Sequence, residues 1–243
     1  MEKLFLSIII PVHNEERRLP STIEQALQFL SQQSYPAELI LVENGSQDRT
    51  LELANAYAAR YPQIRVLQEK ARGKGRAVRK GMLAARGEYR FMADADFSMP
   101  PEEINRFLPP QLSDFDIAIA SREAPGAVRY GEPAYRHFIG RIFNVMIRLL
   151  ALPEFHDTQC GFKCLRGEAA EALFPYQTLT GWAFDVEILF IAHKRGYRIK
   201  ELPIPWYFNP DSKVRVWRDS FEMARDLLTI RLNFLRGYYR ASD

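Results

Sequence analysis

Leu4-Phe5-Leu6-Ser7-Ile8-Ile9-Ile10-Pro11-Val12 is the stretch on which the fold turns. Its consecutive isoleucines are β-branched and favour a strand, and the apolar run is nearly unbroken rather than alternating. Such a run suits a strand covered on both faces. Outward from it, apolar residues at Leu19, Ile23, Ala26, Leu27 and Leu30 keep helical spacing, with Pro20 near the start and Ser21 as a candidate cap. Residues 39–43 (LILVE) read as a second strand, followed by the turn Asn44-Gly45-Ser46. A helix over 48–61, a strand over 64–67 and a helix over 74–86 come next. Residues 89–93 form a fourth strand that ends at Asp94, and residues 116–121 (DIAIAS) a fifth.

Strands alternating with helices of about 12 residues predict βαβ units and a largely parallel sheet with right-handed crossovers. Ligands of such sheets bind beyond the carboxyl ends of the strands. Polar residues stand at each of those ends: Asn14-Glu15, Glu43-Asn44, Asp94-Ala95-Asp96 and Ser121-Arg122. Alternate residues leaving a strand point the same way, so Asp94 and Asp96 are able to face one cation. Mg2+ and Mn2+ take hard oxygen ligands, usually one or two carboxylates with phosphates and water completing the shell. Lys74 lies between Gly73 and Gly75 where a helix opens, a position that attracts phosphate.

Bulk composition narrows the classes. At 243 residues, 47% hydrophobic and 26% charged, the chain has ample core for one large domain or two small ones. A net charge of +3 gives no case for a nucleic-acid partner. Cys160 and Cys164 read as free thiols of a reducing compartment, because a zinc site needs ligands beyond His156. The opening residues carry no leader pattern, and the longest apolar stretch, 138–152, is broken by Gly140, Arg141, Asn144 and Arg148. It falls short of the roughly 20 apolar residues of a spanning helix. The expectation is a cytoplasmic protein, either free or peripheral on the cytosolic membrane face, without a transmembrane span.

After Arg122 the pattern changes. Residues 123–136 are polar, contain Pro125, Gly126, Gly131 and Pro133, and read as a mobile loop. In 138–152 the polar residues Arg141, Asn144 and Arg148 fall on one stripe, leaving an apolar circumference that suits either a core or a bilayer interface. The chain ends in a basic amphipathic helix with Trp217, Phe221, Ala224, Leu228, Leu232 and Leu235 on one face, preceded by Lys213 and Arg215. That helix suits a membrane surface or packing on the sheet, or both.

Four motifs in order resemble those of the family 2 glycosyltransferases: Pro11-Val12-His13-Asn14-Glu15, Glu43-Asn44-Gly45-Ser46-Gln47-Asp48-Arg49-Thr50, Gly73-Lys74-Gly75-Arg76-Ala77-Val78-Arg79 and Asp94-Ala95-Asp96. One departure is Glu43-Asn44, where the family usually has two aspartates. In the second half, residues 156–163 (HDTQCGFK) and 182–187 (WAFDVE) resemble the branch that passes hexoses to dolichyl or polyprenyl phosphate, closest to the dolichyl-phosphate β-glucosyltransferases.

The resemblance implies a GT-A type α/β fold, Rossmann-like, with C-terminal amphipathic interface helices. It implies a single domain over 1–243, with a nucleotide-sugar-binding half (1–122) and an acceptor and membrane-interface half (123–243). Pro11, His13, Glu15, Glu43, Gly45, Lys74, Asp94 and Ala95 would bind the donor, and Asp94 and Asp96 would hold Mg2+ or Mn2+. Asp96, Asp157 and Arg122 would form the catalytic set. Arg136, Lys213 and Arg215 would grip the acceptor phosphate, arginine by bidentate contact and lysine as a point charge.

The implied reaction is inverting transfer of a hexose, glucose from UDP-glucose, to a polyprenyl phosphate at a membrane surface. The alternatives are mannose from GDP-mannose, a glycan hydroxyl acceptor with Asp157 as general base, and an inactive nucleotide-sugar-binding module. Asp185 and Glu187 either face the sugar or form an ion pair at the core's edge.

Overall fold

The computed structural model describes residues 4–210 and 216–240, excepting the side chains of 216–221. In chain order the first half contains β1 (Leu6–Val12), α1 (Leu19–Ser31), β2 (Ala37–Glu43), α2 (Thr50–Arg60), β3 (Ile64–Gln68), α3 (Lys74–Ala84), β4 (Tyr89–Met92) and β5 (Ile117–Ser121). The second half contains β6 (Val128–Tyr130), α4 (Ala134–Leu150), β7 (Lys163–Arg166), α5 (Gly167–Leu173), α6 (Phe184–Lys194), β8 (Ile199–Pro203), β9 (Pro205–Tyr207) and α7 (Val216–Leu235).

Seven strands form one sheet in the order β3-β2-β1-β4-β7-β5-β8. β1 is parallel to β2, with Ile9 opposite Ile40, and to β4, with Ile9 opposite Met92. Ile8, Ile9 and Ile10 are wholly buried, as a strand covered on both faces requires. The helices divide the core into two layers, with Ile9, Ile40 and Val42 on one side of the sheet and Ile8, Ile10 and Leu41 on the other.

The expected strands and helices are present, and the departures have local causes. α1 starts at Leu19 rather than after a Ser21 cap: Pro20 sets its first turn, and Thr22 Oγ1 donates to Arg18 O. β7 has no counterpart in the sequence reading. It runs antiparallel between β4 and β5, and its four residues, Lys-Cys-Leu-Arg, are too few and too mixed to show a period. Strands from both sides of Arg122 therefore share one sheet.

The polar segment 123–136 is built rather than left as a loop. Its residues 128–130 form β6, parallel to β9, and Tyr130 stacks on Tyr207 with ring centroids 4.6 Å apart. Arg129 fastens it by pairing with Glu123 and Glu132 and donating to Arg122 O.

The two apolar helices also differ from their sequence patterns. In α4, Asn144 is buried beside Phe143 and Ile147, whereas Arg141 and Arg148 are exposed, so the expected polar stripe is split. Phe138, Ile142, Val145 and Leu149 face outward instead. In α7 the inward face is Met223, Leu227 and Ile230, and Leu228, Leu232 and Leu235 of the expected apolar stripe are exposed. No described helix is long and apolar enough to cross a membrane.

Helix α3 lies close against the sheet because Gly81 has no side chain. A Cβ there would stand 2.4 Å from Ile9 Cγ2 and 2.9 Å from Val42 Cγ2. Gly81→Ala is therefore expected to destabilise the protein by about 1–3 kcal/mol through overpacking, even though alanine is the better helix former by about 1 kcal/mol. Chemical denaturation measures the change, and a stabilised variant would contradict the packing.

Candidate active site

The carboxyl ends of β1, β2 and β4 meet above the sheet. A cavity of about 390 Å³ opens there, lined by Pro11, His13, Glu15, Asn44, Lys74, Asp94, Ala95 and Asp96, with Arg18, Arg72 and Trp182 around them. Most of the expected donor residues are thus brought together. Glu43 and Gly45 are not in the lining: the Glu43 carboxylate turns back to accept the Ser46 N–H, and Gly45 takes φ +65° to make that turn. Asn44, in place of the usual aspartate, accepts the Gly73 N–H at 2.9 Å and donates to Glu69 O and Ala71 O, so it joins the end of β2 to the turn before α3.

Backbone conformation places the carboxylates. Residues 94–97 turn sharply after β4, and Phe97 holds the left-handed φ of +40° that a bulky side chain adopts only under constraint. Thr22 Oγ1 fixes Ala95 O at 2.5 Å, and Ser98 N–H donates to Asp96 Oδ1 at 3.1 Å. Gly161 closes the other side, since a Cβ there would lie 1.9 Å from Asp94 Oδ2.

Charge at this point is finely balanced. Lys74 Nζ stands 2.6 Å from Asp94 Oδ1 and 5.2 Å from the centroid of the Trp182 ring. Burial works to lower the Lys74 ammonium, but Asp94, Asp185 and Asp96 outweigh it and hold it above its ordinary value. Asp96 is raised, first by burial and then by the like charge of Asp94. A divalent cation relieves this kind of repulsion. Among the described residues no group of three or more His, Cys, Asp or Glu could hold a metal. Asp94 and Asp96 are a two-carboxylate set, which fits Mg2+ or Mn2+ with phosphate oxygens and water completing the shell.

The turn at Lys74 differs from a simple phosphate cradle. The Gly73 N–H is taken by Asn44 and the Gly75 N–H by Thr180 O at 3.0 Å. Attraction for an anion therefore falls to the Lys74 ammonium and the N-terminal dipole of α3.

A second cleft, of about 240 Å³, meets the first at Lys74, Asp94, Asp96 and Trp182. Its polar wall carries Arg122, Arg129, Arg136 and Gln159, and its apolar wall Ile139, Phe143, Phe208 and Met223. Arg122 forks onto Asp157, Nε to Oδ2 at 2.6 Å and Nη2 to Oδ1 at 3.0 Å, and its own N–H reaches Oδ2 at 3.1 Å. The Gln159 N–H donates to Asp157 as well. Burial would raise the fully buried Asp157, but Arg122 and these donors hold it well below the usual carboxylate range. A carboxylate so occupied is a weak base and a strong anchor. Arg122 is raised by Asp157 against its own burial, and lies 5.6 Å from the Trp206 ring.

Arg136 lines the same cleft and lies over the Phe208 ring at 5.1 Å. Lys213 and Arg215 lie outside the described residues. Asp185 is buried, pairs with Lys163 Nζ at 3.2 Å and lines the cleft, while Glu187 is wholly buried and in neither lining. Sequence reading missed Arg129, Trp206 and Phe208. Their one signal was aromatic and basic residues around prolines in two segments that pair only in three dimensions.

A mostly parallel sheet with paired carboxylates and a lysine at its carboxyl edge defines the GT-A glycosyltransferase class. Glucosyl-3-phosphoglycerate synthase from Mycobacterium tuberculosis, solved with Mn2+, UDP and phosphoglyceric acid, aligns with a TM-score of 0.69 at 16% identity, over 99% of this chain and 80% of that one. Mannosyl-3-phosphoglycerate synthase from Rubrobacter xylanophilus gives 0.68 at 15%, over 99% and 76%. These likenesses establish the fold. The chain belongs to glycosyl transferase family 2, whose model matches residues 7–174. Similar proteins include the dolichyl-phosphate beta-glucosyltransferases of Dictyostelium discoideum, 34% identical over 99% of this chain and 78% of that protein, and of Drosophila melanogaster, 36% over 99% and 78%. That of Homo sapiens is 34% identical over 97% and 77%.

Asp157→Asn leaves the buried Arg122 guanidinium without its counter-charge and is expected to cost about 3 kcal/mol of stability. Because the folded Asp157 is held low, its contribution is fully present above the unfolded value of about 3.9 and lost as pH falls below it. Thermal melts from pH 7 to pH 3 should therefore show the variant's deficit shrinking in acid. A deficit constant with pH would refute the ion pair's role.

Proposed function

We propose that this protein is a metal-dependent inverting glucosyltransferase that moves glucose from UDP-glucose to a dolichyl or other polyprenyl phosphate at the cytosolic face of a membrane. One observation carries the reading: the two clefts meet at Lys74, Asp94 and Asp96, one apt for a nucleoside diphosphate, the other combining arginines with an apolar wall. A phosphate on a hydrocarbon chain needs both walls of the second cleft. The names of the relatives support the sugar and the acceptor.

In this reading residues 1–122 hold the donor. Pro11, His13 and Glu15 frame the base and ribose, with carboxylate and ring atoms suited to hydroxyl and N–H partners. Glu43 acts one step back, by shaping the turn that carries Asn44. Asp94 and Asp96 would hold Mg2+ or Mn2+, which when bound would neutralise charge growing on the departing diphosphate. Lys74 and the α3 dipole add to that stabilisation from the protein's side.

Residues 123–243, joined by Arg122 at the boundary of the two halves, receive the acceptor. Arg122 and Arg136 present guanidinium groups to its phosphate, and Lys213 and Arg215 would extend that grip. A phosphomonoester has a second pKa of about 6 and is largely a dianion at neutral pH, so its oxygen attacks the sugar without a general base. The commitment of Asp157 to Arg122 suits this acceptor and not a neutral hydroxyl, which would need a base. Attack on the face opposite the diphosphate inverts an α-linked donor to a β-linked product.

Membrane attachment rests on where the exposed apolar side chains lie. α4 sends Ile139 and Phe143 into the acceptor cleft and Phe138, Ile142, Val145 and Leu149 outward. α7 gives Met223 to the cleft and exposes Leu228, Leu232 and Leu235, with Arg225, Arg231 and Arg236 also exposed. Apolar ridges flanked by arginine suit an anionic bilayer surface, each basic residue adding about 1 kcal/mol there. A lipid lying in that surface would meet the cleft from its apolar side.

Asp96→Asn is expected to abolish transfer and most metal-dependent donor binding while leaving the melting temperature near that of the unmodified protein. Organic extraction of radiolabelled product measures transfer, and undiminished turnover in EDTA would overturn the metal's role. Since Asp96 is raised, donor binding should fail on acidification at a higher pH than the ordinary aspartate value of about 3.9. Titration calorimetry with Mn2+ and UDP across pH reads this directly.

A further inference from the structure

Glu187 is a wholly buried carboxylate in α6 that none of the chemistry above uses. It accepts the Thr178 N–H at 3.0 Å, the Leu179 N–H at 2.8 Å and the Thr178 hydroxyl at 2.5 Å, all on one loop. A further donor comes from the far end of the chain: Tyr239 Oη reaches Glu187 Oε1 at 2.7 Å. Asn233, in the last turn of α7, donates to Thr178 Oγ1 at 3.0 Å and to Tyr239 Oη at 3.3 Å.

The segment after α7 is shaped for this contact. Gly237 takes φ +80° just past the helix, a turn that favours glycine, and the chain doubles back to bury Tyr239. Arg195 Nη2 then holds Tyr239 O at 2.8 Å, and the Tyr239 ring meets Phe190 edge-on.

On its other side the same loop forms the backing of the Lys74 turn. Thr180 O accepts the Gly75 N–H at 3.0 Å and sits where a Cβ on Gly73 would be 2.4 Å away. A Cβ on Gly75 would be 2.9 Å from Leu179 O. Trp182, at the loop's end, lies under the Lys74 ammonium. No slack separates the loop from the two glycines, so a shift of Thr178 moves the turn that carries Lys74.

We propose that Tyr239, with Asn233, is a positioning residue for donor binding, acting through Glu187 and the 178–182 loop to set the place of Lys74. This rests on the reading of the Lys74 turn as the diphosphate-binding element. Tyr239 lines neither cleft, so it reaches the substrates only through the Lys74 turn, and its effect appears chiefly in donor affinity.

The test compares KM for UDP-glucose with KM for a short-chain prenyl phosphate, using the full chain. Tyr239→Phe keeps the ring and removes the hydroxyl, and is expected to raise the UDP-glucose KM about tenfold, the scale of a hydrogen bond to a buried charge. The prenyl phosphate KM should stay within about twofold. Thr178→Val is expected to reproduce the effect and Thr178→Ser to restore an unmodified KM, with Tyr239→Phe and Thr178→Val less than additive together. Both KM values moving in step, or an unchanged UDP-glucose KM in a Tyr239→Phe protein that melts normally, would overturn the proposal. Lys74→Gln separates the two levels. If it too leaves the donor KM unchanged, the Lys74 turn itself is misread; if it alone raises that KM, only the strut from Tyr239 is wrong.

Discussion

Asp94 and Asp96 stand together at the end of β4 with one lysine, Lys74, 2.6 Å from the nearer carboxylate. Two carboxylates at that spacing repel, and partial burial strengthens the repulsion by thinning the solvent that would screen it. Lys74 answers part of it, and Asp96 is raised, first by its burial and then by the like charge of Asp94. A divalent cation carrying a diphosphate would supply both signs of charge at once, positive to the aspartates and negative to the lysine. In the proposed reading, binding replaces an internal balance with an external one.

The surrounding fold keeps those charges in place. Gly161 lets a loop close on Asp94 without contact from a side chain, and Gly73 and Gly75 let the 178–182 loop press on the turn at Lys74. The strained Phe97 holds the direction in which the Asp96 carboxylate leaves the sheet. On the acceptor side, the Arg122–Asp157 fork ties β5 to the segment before β7. It fixes a guanidinium at the cleft and commits the Asp157 carboxylate to an ion pair. The order of this wall of the cleft follows from that ion pair.

Much of this was legible in the chain, for reasons that differ by element. The parallel strands announced themselves because burial on both faces demands continuous apolar runs, as in residues 39–43. Asp94, Asp96 and Lys74 were legible because a strand end and a helix start fix side-chain direction locally. β7 was not, since an interior antiparallel strand of four residues draws its stability from two neighbours and leaves no pattern of its own. Arg129, Trp206 and Phe208 were hidden for a related reason: β6 and β9 are far apart in sequence and meet only when the sheet is assembled. Glu43 was read as a donor contact, and its carboxylate also satisfies a turn N–H that a motif does not display. Along α7 the core took Met223, Leu227 and Ile230 rather than Leu228, Leu232 and Leu235 of the stripe read from the sequence.

The central claim is that donor and acceptor meet over one metal at the junction of the two clefts. Phosphorus magnetic resonance of a short-chain prenyl phosphate, titrated with Mn2+ in the presence of UDP and the protein, tests it most directly. Mn2+ held by Asp94 and Asp96 should broaden the acceptor's phosphorus signal strongly, and Asp96→Asn should remove that broadening. An acceptor signal left sharp while UDP and Mn2+ are demonstrably bound would place the lipid phosphate elsewhere and contradict the account.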